Sequence, residues 1–63
     1  MKLNDFISRV DKDTLLDVYG DDGLFVYYGK ASNYMYDNNW YFVDWFGFNY
    51  IGDGKVVCEV RVC

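Results

Sequence analysis

Apolar and polar positions change period along this chain. In LNDFISRV, residues 3–10, Leu3, Phe6, Ile7 and Val10 fall at i, i+3, i+4 and i+7. That spacing draws one apolar stripe on a short α-helix. Asn4 is placed to cap it and Asp5 suits its first turn. The polar break DKD, residues 11–13, ends the helical pattern. From Thr14 the period becomes two. TLLDVY, residues 14–19, sends Leu16 and Val18 to one side and Asp17 and Tyr19 to the other. GDDG, residues 20–23, signals a hairpin, because Asp-Gly supplies the positive φ angles of a tight turn. LFVYYGKA, residues 24–31, returns as the second strand, with Gly29 marking a bulge or a close approach.

SNYMYDNN, residues 32–39, reads either as one helical turn capped by Ser32 and carrying Tyr34, Met35 and Tyr36, or as an irregular loop. WYFVDWFGFNYI, residues 40–51, is rich in strand formers. GDG, residues 52–54, gives a second hairpin, and KVVCEVRV, residues 55–62, alternates cleanly. There Val56, Cys58, Val60 and Val62 face in, while Lys55, Val57, Glu59 and Arg61 face out. The predicted fold is a single α+β domain spanning residues 1–63. It has a short N-terminal helix plus a four-stranded antiparallel sheet made of two hairpins.

Size sharpens the picture. A chain of 63 residues buries only about 60% of its unfolded surface, so it calls for a staple. Cys58 and Cys63 lie on one predicted strand, where their Cα atoms stand about 16 Å apart. A disulfide needs less than about 7 Å, so two free thiols in a reducing cell is the simpler expectation. With no histidine and no CxxC pair, a structural zinc site is not expected. Association remains. Two Trp, seven Tyr and five Phe are more than so small a monomer hides, and a homo-oligomer is expected.

The net charge of −4 disfavours tight phosphate-backbone binding, which depends on Lys and Arg. No apolar run is long enough for a signal peptide or a membrane span, so a cytoplasmic protein away from the membrane is expected.

Aromatic residues concentrate in NNWYFVDWFGFNYIG, residues 38–52. On a strand, one face carries Tyr41, Val43, Trp45, Asn49 and Ile51, with a gap at Gly47. The other carries Phe42, Asp44, Phe46, Phe48 and Tyr50. An antiparallel strand with one face in water shows one polar face, and here both are apolar. One face has the helix and the valine row to pack on. The other meets a second copy, another protein, or stacked bases. The candidate binding residues are Trp40, Trp45, Phe46, Phe48 and Tyr50, with Lys55 and Arg61 as neighbouring cations.

Candidate chemistry is sparse. Histidine-dependent triads are ruled out by composition. Cys58 reads as an inert core thiol. No phosphate-binding glycine motif occurs, and nothing in the sequence names a cofactor. Asp11, Asp13, Asp17, Asp21 and Asp22 cluster within twelve positions. Two or three such carboxylates can hold Mg²⁺ against a phosphodiester, or they can simply be turn and cap residues in solvent.

The opening MKLNDFISRVDKDTLLDVYGDDG and the ending DGKVVCEVRV resemble a group of very small proteins of phages, prophages and gut bacteria. Some of that group resemble anti-CRISPR proteins, and the nearest of them is a small oligomeric β-sheet protein that protects plasmids and phages from Cas9 by nicking and relaxing supercoiled DNA. The resemblance implies an anti-defence role and carries a catalytic part to Asp13, beside the helix end. The aromatic middle departs from the group and points to a different target on the same scaffold. The expected function is therefore a phage or mobile-element anti-defence protein acting as an oligomeric β-sheet module, by nicking or relaxing supercoiled DNA. The alternative is a non-enzymatic protein that sequesters a nucleotide immune signal or binds a host defence protein through its aromatic strand.

Overall fold

The computed structural model describes residues 1–35 and 40–63. Its elements are α1 (Leu3–Arg9), β1 (Leu15–Gly20), β2 (Phe25–Lys30), a 3-10 turn (Ala31–Asn33), β3 (Val43–Gly52) and β4 (Lys55–Val62). Both hairpins form where Asp-Gly pairs mark them. Gly23 takes φ 85°, and Gly52, Asp53 and Gly54 take 97°, 52° and 74°. These are left-handed conformations that glycine reaches without a Cβ penalty. The helical turn that was one of two expectations for residues 32–39 is corrected: the chain makes a 3-10 turn over Ala31–Asn33, with Lys30 and not Ser32 at the cap position and Tyr34 already extended, while residues 36–39 lie outside the described residues.

The hairpins join in an unexpected way. The strand order is β2-β1-β4-β3, and the central pair β1/β4 is parallel. The expected antiparallel sheet of two hairpins is therefore corrected to a mixed sheet. The reason lies in the link between β2 and β3, residues 31–42. Parallel neighbours need a connection of about a dozen residues or more to carry the chain back along the sheet. This link has that length, and Ala31, Tyr34 and Tyr41 along it pack onto the core.

The two inner strands supply most of the core. Leu16 pairs with Cys58 and Val18 with Val60, and all four are fully buried with Leu3 and Val62. Each such aliphatic side chain contributes about 1.5–3 kcal/mol. The helix lies on this face through Leu3 and Phe6. Its entry is set by backbone pairing rather than by the expected Asn4 cap. Lys2 occupies the cap position with no side-chain hydrogen bond, and the Leu3 N–H donates to the Tyr41 carbonyl (2.9 Å).

One side chain departs from strict alternation, and another keeps its face but is buried there. A bulge between Val43 and Trp45 turns Val43 toward the core, opposite Val62, and away from the face expected for it. Val57, expected outside, is only 6% exposed. It sits on an inner strand between Leu15 of β1 and Asn49 of β3, whose side chains flank it on both sides.

Candidate functional site

One helix cannot cover this sheet. At about 1.5 Å per residue, the seven residues of α1 reach about 10 Å. The ten residues of β3 extend about 33 Å. The helix therefore covers only the first half of β3, where Phe6 and Phe46 meet as a tilted pair with ring centroids 4.9 Å apart. Farther along the same face, Phe48 borders a hollow of about 210 Å³ with Phe6, Arg9 and Val10 at the helix end, and Tyr50 runs out beyond it. Phe48 and Tyr50 are 63% and 71% exposed, and Phe46 itself is 53% exposed. Phe46 and Phe48 meet edge to face at 6.4 Å. Met1 and Val56 complete this apolar bank, Val56 as the cross-strand partner of Tyr50.

The bank continues into a groove of about 510 Å³ at the end of the sheet. Asp13, Thr14, Lys30, Phe48, Lys55 and Val56 line it. Three of the sequence-predicted site residues, Asp13, Phe48 and Lys55, thus share one concavity. Asp13 is exposed in the turn before β1, and its backbone N–H donates to Oδ1 of Asp11 (2.8 Å). Among the described residues, no group of three or more His, Cys, Asp or Glu is disposed to hold a metal ion.

The remaining predicted residues lie elsewhere. Trp45 is on the opposite face of the sheet, across from Arg61. Its indole lies over Gly47, where an added Cβ would sit 2.9 Å from the ring. The gap expected at Gly47 is thus the seat of Trp45. Arg61 is paired with Asp44 (Nε to Oδ2, 3.0 Å) and stands near the far end of β4 from Lys55. These two cations do not form one clamp. Trp40 is 66% exposed and rests against Tyr41, with ring centroids 6.0 Å apart.

The face that carries Trp45 is acidic at its centre. Asp17 and Glu59 are in register on the parallel pair, and Glu59 accepts a hydrogen bond from the Asn49 amide. Phe25 and Tyr28 are also exposed on β2. Adjacent carboxylates repel phosphate, so these aromatics make a poor platform for nucleic acid.

No protein-family model, no curated protein and no solved structure matches this chain. The reading of the site therefore rests on its own geometry.

Sequence reasoning missed Met1 and Val56 as members of the exposed bank. Val56 was legible as part of an inward row, but not as lying past the reach of the helix. Cys58 is fully buried, and burial pushes its thiol pKa up; Cys63 is exposed, and both are free.

Proposed function

We propose that this protein is a non-enzymatic anti-defence protein of a phage or mobile element, which acts by binding a host defence protein on the helix side of β3. The observation that carries the reading is the bank of Phe46, Phe48 and Tyr50. These are three large aromatics on one face of one strand, each more than half exposed. Clustered aromatic anchors at a surface are what protein-binding hot spots are made of. A contiguous apolar patch of this kind is a liability in a small monomer unless a partner covers it. The anti-defence setting is supported by the likeness of the opening and closing segments to small phage and prophage proteins.

The nicking reading has less support. Asp13 lines the groove beside Lys30 and Lys55, without the further carboxylates that a hydrolytic Mg²⁺ site uses. The nucleotide-clamp reading loses its geometry, because Arg61 is held by Asp44 away from Lys55.

Survival of a targeted plasmid in cells carrying Cas9 tests the proposal. Wild-type protein and Asp13→Ala are expected to protect equally, and Phe48→Thr/Tyr50→Thr to lose protection while remaining folded. Loss on Asp13→Ala with retention in the double variant would contradict it.

A further inference from the structure

The edge of β3 is a separate feature from its face. β3 is the last strand of the sheet. Residues 1–3 cover its free edge only at residues 41–43, through Leu3 N–H to Tyr41 O and Val43 N–H to Met1 O. Beyond Asp44, no described segment pairs with it. Edges like this are usually blunted by lysine, proline or an inward-pointing charge. WFGFNYI, residues 45–51, contains none of these. Bulges between Val43 and Trp45 and between Tyr50 and Gly52 frame the stretch at both ends.

We infer that two copies of this chain pair antiparallel along this edge, over residues 45–51, about a two-fold axis at Phe48. Antiparallel pairing of a strand with itself is isologous, so it closes as a dimer and leaves no free complementary edge. The segment already covered at residues 41–43 and the turn after Gly52 set the register. Within it Phe48 faces Phe48 of the second copy, Phe46 faces Tyr50, Trp45 faces Ile51, and Gly47 faces Asn49. Large residues meet large ones on the helix side. On the other side the gap at Gly47, roofed by Trp45, lies opposite Asn49. The chain is acidic overall, yet residues 45–51 are uncharged, so no like charges face each other within the paired stretch, and Asp44 at its end is already held by Arg61.

The seam is carried by backbone hydrogen bonds along seven residues and by the flanks of the side chains that face the second copy, while the outward faces of Phe46, Phe48 and Tyr50 stay exposed. The pairing rests on reading β3 as an association strand, and it doubles the proposed binding face by setting the two Phe46–Phe48–Tyr50 banks side by side.

Sedimentation velocity in reducing buffer, with site-directed cross-linking, tests it. The expected mass is twice the 7.5 kDa of the chain, falling to one chain in Ile51→Lys, which leaves the helix-side aromatics in place. In a Cys63→Ser background, Phe48→Cys is expected to cross-link to itself on oxidation, and Asn49→Cys is not. The cross-link reports the register even if Ile51→Lys fails to fold. A wild type that sediments as a monomer from micromolar to millimolar concentration overturns the inference. So does a dimer that survives Ile51→Lys and gives no cross-link at position 48. A monomer that still loses plasmid protection in Phe48→Thr/Tyr50→Thr overturns the pairing and leaves the binding face standing. A cross-linked dimer whose Phe48→Thr/Tyr50→Thr variant protects fully supports the pairing and removes the binding face.

Discussion

Phe6 and Phe46 stack at 4.9 Å with their planes inclined by 50°, and this contact marks where the helix stops protecting β3. Phe6 is 6% exposed and belongs to the core; Phe46, its partner, is 53% exposed and belongs to the surface. One ring pair thus joins the folding unit to the proposed binding bank.

Phe6→Ala is expected to cost about 3–5 kcal/mol, the usual range for a buried Phe. A single core this small supplies about 3–5 kcal/mol in all. Urea titration followed by circular dichroism should therefore find Phe6→Ala largely unfolded before denaturant is added.

Gly47→Ala is expected to lift the Trp45 indole from its seat, because the new Cβ would lie 2.9 Å from the ring. The φ of Gly47 is not in the left-handed region, so the backbone itself tolerates alanine. In a Trp40→Phe background, the tryptophan emission of Gly47→Ala should move to longer wavelength, with stability falling by about 1 kcal/mol. An unchanged spectrum would mean that the indole does not rest there.

The two thiols should behave differently. Cys63 is exposed and is expected to react with a thiol reagent in the native protein, whereas Cys58 waits for unfolding. Burial raises the Cys58 pKa above its ordinary value of 9.0, so the folded state favours the neutral thiol. Stability from this group is full below pH 9.0. It declines as pH rises above 9.0 toward the folded pKa, because the unfolded thiol ionises first. Urea midpoints across this range should fall less steeply in Cys58→Ala.

Asp44→Ala should change stability by no more than about 1 kcal/mol, because its pair with Arg61 is about half exposed on both sides. Added salt should shrink even that difference, which urea midpoints at low and high ionic strength would show.

The local elements were legible because their causes are local. The i, i+3, i+4, i+7 stripe over Leu3, Phe6, Ile7 and Val10, the Asp-Gly turns and the alternation from Val56 to Val62 each lie within a few residues of their effect. The parallel pairing of β1 with β4 was not legible. Hairpin signals say which strands are consecutive, but not which of two hairpins' strands meet or in what direction. That choice is made by the link at residues 31–42 and by the equally buried rows Leu16/Val18 and Cys58/Val60. The aromatic bank was legible as residues with one face too many. Which rings stay exposed depends on the seven-residue length of α1 against the ten of β3. The separation of Lys55 from Arg61 was open to the same arithmetic as Cys58 and Cys63, since six residues of one strand set them about 20 Å apart. The Asp44–Arg61 pair was not legible, because it sits at the bulge between Val43 and Trp45, and strict alternation cannot show a bulge.

The outer rings of β3 are a surface and not the core. The most direct measurement is the unfolding free energy of Phe48→Thr/Tyr50→Thr, in which threonine preserves strand propensity. A cooperative urea transition within about 1–2 kcal/mol of wild type is expected, in contrast to the collapse of Phe6→Ala. A double variant that is unfolded in water would contradict it, because it would make Phe48 and Tyr50 part of what holds the monomer together.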